Sequence, residues 1–205
     1  MTRTFITLAS LAALTAAAAG CGVADQGRSP VVVRIDEIAA SSGAGSQTFA
    51  GYLHSDVQTM VKVNNVDVPT RFNDPGRVTL SVVLRDPGAP GVANTPTELN
   101  TVTITHYRVV YRRTDGRNVQ GVDVPWAFDS GMTVSIPASA AVQQTFDLVR
   151  VSAKGEAPLT ALIVNGQTLD VIADVTFYGK DMHHNDVMAT GSIGITFANY
   201  GDSSS

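Results

Sequence analysis

DPGRVTLSVVLRDPG, residues 74–88, is the stretch that decides the fold. Between its two Asp-Pro-Gly clusters, Val78, Leu80, Val82 and Leu84 recur at every second position, with Thr79, Ser81 and Val83 between them. Side chains alternate across a β-strand, so this period of two sends the first set to a core and the second to the other face. Asp74-Pro75-Gly76-Arg77 reads as the turn that launches the strand, with proline first and glycine second in the central pair. Asp86-Pro87-Gly88 stops it. The expectation is a strand over 77–85 with its Leu80 face buried.

The same alternation recurs on both sides. VVVRI, residues 31–35, opens as a first strand, and SSGAGSQ, residues 41–47, reads as a loop. A short apolar piece with Phe49, Tyr52 and Leu53 follows, and residues 57–68 carry an Asn-Asn turn candidate between alternating valines. Residues 86–100, rich in Pro, Gly, Asn and Thr, read as an irregular loop. Over 102–113 the face changes: Val102 and Ile104 give way to Tyr107, Val109 and Tyr111, which predicts a bulge at 105–106. Thr114-Asp115-Gly116-Arg117 is a hairpin turn signal. Further strands are expected at 132–137, 144–153, 169–178 and 190–198. A helical candidate at 138–141 is too short to stand in water. About seven to nine short strands with no long helix predict an all-β, antiparallel β-sandwich with long loops.

The closing segment DVTFYGKDMHHNDVMATGSIGITF, residues 174–197, turns one alternating strand through a polar tip into another. It is similar to the last two strands of an immunoglobulin-like or fibronectin-like module. That resemblance implies an immunoglobulin-like sandwich over residues 31–201, without the paired cysteines of antibody domains. Trp126, in a Val-Pro-Trp-Ala-Phe stretch, need not be a core tryptophan.

The N-terminus carries a different message. Arg3 is followed by an uncharged run, Thr4 to Gly20, rich in Ala and Leu, and then by Cys21, the only cysteine of the chain. A charge, an apolar run and small residues form the order of a secretory signal peptide. The context ALTAAAAGCG, residues 13–22, resembles the lipobox of bacterial lipoproteins, with Ala18 where a Leu is usual. The resemblance implies removal of residues 1–20 and acylation of Cys21, with residues 21–30 as a lipidated tether and 202–205 as a disordered tail. Multiple acyl chains anchor stably, and the domain stays in water. The expected location is the cell membrane or outer membrane, facing periplasm or exterior.

The formal charge is −4, and removing residues 1–20, whose only charge is Arg3, leaves −5. That balance speaks against nucleic acid, which is bound through clustered Lys and Arg. A single cysteine allows no intramolecular disulfide. No Walker loop, dinucleotide glycine pattern or His-Glu-x-x-His occurs, and no cofactor is expected.

Asp181, His183, His184, Asn185 and Asp186 form the densest group of metal-capable side chains, with oxygens suited to calcium and imidazoles to a transition metal. Neighbours on an extended strand diverge, so a solvated turn is the favoured reading. Asp129-Ser130-Gly131 resembles the aspartic-protease tripeptide but is read as a turn before a strand. His54, Ser55 and Asp56 are the residue types of a hydrolytic triad, yet side by side, and are read as a polar loop. Tyr107, Val109 and Tyr111 are assigned to the core. Trp126 and Phe128, in a Pro-flanked stretch, are the candidate partner contact. The expected function is a non-catalytic binding or assembly module of the envelope, with a protein or glycan partner. The alternatives are a carbohydrate- or metal-binding accessory lipoprotein and, third, an envelope hydrolase.

Overall fold

The strand read from residues 77–85 is the centre of a three-stranded sheet. In the computed structural model, which describes residues 28–45 and 48–200, β5 (Asp74–Leu84) lies between β1 (Val31–Ala40) and β10 (Val142–Val149), antiparallel to both. Residues 1–20, read from the sequence as a signal peptide, Cys21 and the tail 202–205 lie outside the described residues. Val78, Leu80 and Val82 are buried as the alternation requires, and Leu84 packs at the margin of the core.

Asp74-Pro75-Gly76 is not a turn but the first part of β5. Two features make this tolerable. The N–H that Pro75 lacks falls where pairing with β10 shifts register, between Asp147 and Val149. Gly76 accommodates the ring of Phe146, since a Cβ there would lie 2.5 Å from its Cζ.

The second sheet has five strands in the order β2 (Tyr52–Asp56), β12 (Asp186–Ala198), β11 (Leu169–Asp181), β8 (Val102–Arg112) and β9 (Phe128–Ile136). Its pairings are antiparallel except β2 with β12, which run parallel, a departure from the expected all-antiparallel pattern. The bulge expected at 105–106 is present: the register of β8 shifts there against both neighbours. Gly179 sits opposite, where a Cβ would come within 2.3 Å of the Thr103 carbonyl oxygen, so only glycine lets the bulged strand close.

One core joins the two sheets. Phe146 of the smaller sheet meets Tyr107 and Phe177 of the larger edge to face, at centroid distances of 5.1 and 5.5 Å. Tyr107 and Tyr111 reach across to the Asp147 and Leu148 carbonyls with their hydroxyls, as the core assignment of that face requires.

Two hairpins stand outside these sheets: β3 (Thr59–Val63) with β4 (Val66–Thr70), and β6 (Gly88–Ala89) with β7 (Val92–Ala93). The second lies within the loop expected to be irregular. Residues 138–141 form a turn rather than a helix. The helices lie elsewhere, at α1 (Val151–Lys154), which replaces the end of the expected strand 144–153, and α2 (Leu159–Asn165). Leu159 and Leu162 are buried, and Gly166 closes α2 in the left-handed region at φ 63°.

Candidate functional site

The register defines two ends of the fold. Val31 and Leu84 pair at one end, and Asp181 lies there too, within reach of the Ser29 hydroxyl. Ala40, Asp74 and Ala198 mark the other, from which the β3–β4 hairpin projects.

Asn64 and Asn65 turn this hairpin with φ of 53° and 64°. A two-residue type I′ turn needs positive φ at both positions, and asparagine tolerates it. Val63 pairs with Val66 and Val61 with Val68, so the four valines share one face, with Met60, Lys62, Asp67 and Pro69 on the other. Val63 is 50% and Val66 62% exposed, and Met60 and Val68 are exposed as well. The hairpin pairs with no other strand among the described residues. A solitary two-stranded hairpin is marginal in water, and exposed valines on one of its faces make that face a candidate contact surface.

Beneath its root lies a buried polar cluster. Lys154 Nζ donates to Asp74 Oδ1 and to the Asp56 carbonyl, both at 2.8 Å. Ser55 Oγ donates to Asp74 Oδ2 at 2.5 Å, and the Gly43 N–H to Oδ1 at 2.9 Å. The Asp74 and Lys154 side chains have no exposed surface. Burial first, and the Asp74 carboxylate second, push the Tyr111 hydroxyl far above its ordinary range.

At the opposite end, the group Asp181 to Asp186 is organised by a carboxylate used internally. Asp181 Oδ1 accepts the backbone N–H of His183 (2.8 Å) and of Asn185 (2.9 Å), and Oδ2 accepts Asn185 Nδ2 at 3.0 Å. Burial raises the Asp181 carboxyl, but bonds from Asn185, Ser29 and the His183 backbone outweigh it and hold the group below its ordinary value. His184 turns the chain at φ 63° and Asp186 pairs with Lys180 at 2.6 Å. No cluster of three or more His, Cys, Asp or Glu in a metal-binding arrangement occurs among the described residues.

The outward face of the five-stranded sheet carries interlocked polar pairs. Arg112 and Ser192 both bond Asp174, Arg108 pairs with Asp129, and Thr176 with Thr190. Near its bulged end His106 stacks on Tyr178 at 4.8 Å and 9° between planes. With Thr105, Lys180 and Met188 these rings border a hollow of about 400 Å³.

Other sequence candidates are dispersed. Trp126 is 53% exposed and lies over Gly121, where a Cβ would approach its ring to 2.7 Å. Phe128 turns inward under the Arg150 guanidinium, 4.1 Å from the ring centre, so it is not part of an exposed contact. His54, Ser55 and Asp56 lie on β2 rather than in a loop, and strand alternation points Ser55 inward, away from the other two. Asp129, Ser130 and Gly131 lie within β9, not in a turn before it.

Comparison with protein-family models, curated proteins and solved structures finds no match in any of the three. The valine face of β3–β4 and the cluster of Ser55, Asp74 and Lys154 were not singled out from the sequence. For the valines a signal existed in their even spacing around Asn64 and Asn65. For the buried cluster none did, since its members are brought together only by the fold.

Proposed function

We propose that this chain is an exported lipoprotein, held at the membrane through Cys21, whose immunoglobulin-like sandwich serves as a non-catalytic binding module. Its contact with an envelope protein is made by the valine face of the β3–β4 hairpin. The observation that carries this reading is the exposure of Val63 and Val66 on a hairpin that pairs with no other strand among the described residues. An all-β fold with antiparallel sheets around one core supports the sandwich reading. A tether entering at Val31 leaves the hairpin at the end of the fold away from the anchor. A partner therefore meets it from the aqueous side.

A photo-crosslinking residue at Val66, in cells that export the protein, tests the contact. The expected result is a discrete adduct that disappears in a Val63→Lys variant, while the same probe at Val164, exposed on α2, gives none. No adduct at Val66, or an equal one at Val164, would overturn the reading. Cys21→Ala is expected to release the domain from membranes or block its processing. Mass analysis should find residue 21 acylated at the mature N-terminus.

The hollow beside His106 and Tyr178 favours a second reading, a glycan stacked on the paired rings. Retention on a glycan array that is lost in Tyr178→Ala would support it, and equal retention would count against it.

A further inference from the structure

Among the ion pairs of the described residues, Lys154 with Asp74 is the one in which both side chains are fully buried. We propose that these two residues are joined in the folded protein by an intramolecular amide bond between Lys154 Nζ and Asp74 Cγ, formed with loss of one water.

The hydrogen bonding around the pair suits an amide better than two ions. An ammonium has three N–H donors, and Lys154 finds two acceptors, Asp74 Oδ1 and the Asp56 carbonyl. An amide nitrogen has one N–H, and the Asp56 carbonyl at 2.8 Å is placed to receive it. The amide oxygen would be Oδ2, which already accepts the Ser55 hydroxyl at 2.5 Å. Both polar groups of the product are thus matched by adjacent residues of β2. The two charges of the unlinked pair have given up all their hydration, a cost that condensation removes.

The reaction balances within the site. One proton passes along the existing Nζ–H···Oδ1 hydrogen bond, giving a neutral amine and a neutral acid. The amine lone pair attacks Cγ, the C–N bond forms, and the carbonyl electron pair moves onto Oδ2, where the Ser55 hydroxyl stabilises it. A second proton leaves nitrogen for Oδ1, the Cγ–Oδ1 bond breaks, and water departs as the carbonyl reforms. The Gly43 N–H, 2.9 Å from Oδ1, stabilises the departing oxygen. Gly43 can come this close because it lacks a side chain: a Cβ would lie 1.9 Å from the Asn73 carbonyl oxygen. Holding amine and carboxyl in contact replaces the encounter of two solutes, and exclusion of water suppresses the reverse reaction.

Peptide and intact mass spectrometry of the purified, folded full chain decides the matter. The expected mass is one water below that of the unlinked chain, with a digest containing a linked peptide pair that carries Asp74 and Lys154. Lys154→Arg, which keeps the charge but has no comparable nucleophile, should show the unlinked mass. Ser55→Ala should slow appearance of the link in newly synthesised chain as it first folds, by roughly tenfold or more if its hydroxyl holds the oxyanion. A succinimide at Asp74 cannot imitate the water loss, because it requires a following N–H and Pro75 has none. Wild-type protein with the unlinked mass and separate peptides would overturn the proposal, as would a water loss mapped to other residues.

Discussion

Leu80 shows how much a single position can decide. It is fully buried on the central strand of the smaller sheet, so Leu80→Ala is expected to cost about 2–5 kcal/mol in denaturant unfolding. A loss below about 1 kcal/mol would mean that the face is not packed as described. Asp181 makes a different prediction. Its carboxyl is held below the ordinary value, so its contribution is complete above the unfolded-chain value of about 3.9. As pH falls below that, the unfolded chain binds a proton that the folded chain refuses, and the contribution is lost until the folded carboxyl also protonates. The stability gap between wild type and Asp181→Asn should therefore be flat from about pH 5 to 7 and narrow below about pH 4. A gap that widens on acidification would reverse the sign. Residues such as Leu80 were legible because strand alternation is written locally. Lys154 was not, because its burial depends on Asp74, which is 80 positions away.

The β3–β4 hairpin can be treated as an element on its own. Asn64 and Asn65 each adopt positive φ, which β-branched residues avoid. Replacing both by Val should melt the hairpin, seen as lost amide protection over 59–70, while the global melting temperature moves little. A cooperative loss of the whole fold would contradict its independence. Asn65→Gly should be neutral or slightly stabilising for the same conformational reason. The turn was legible from Asn-Asn between valines, whereas the exposure of Val63 and Val66 was not, since an alternating hairpin looks alike whether its apolar face is covered or bare. For α2 the signal lies in the sequence: Leu159, Leu162 and Ile163 stand at helical spacing, with Pro158 before and Gly166 after. The turn expected at residues 74–77 failed because Asp-Pro-Gly suits a turn locally, while the ring of Phe146 needs Gly76 in the strand.

For the whole molecule, the buried Lys154–Asp74 pair ties the α1 segment to the start of β5 in a chain with only one cysteine. Lys154→Met removes that tie, ionic or covalent, and leaves the Asp74 carboxylate buried and alone, which by itself is expected to cost about 3–5 kcal/mol. A change under about 1 kcal/mol would show that Asp74 finds another partner. The fold class was legible because strand alternation and turn residues repeat along the chain. The parallel pairing of β2 with β12 was not, because no local pattern states which distant strand lies alongside. That pairing also imposes an order of events. Leu53 sits beside Ile195, so in a growing chain β2 has no sheet partner among the described strands until β12 has been made. Long-range closure of this kind is slow and comes late. A chain stopped before β12 should stay protease-sensitive and unfolded, a state that can thread through a narrow secretion pore. If the chain is exported as proposed, it locks only once β12 has emerged on the far side.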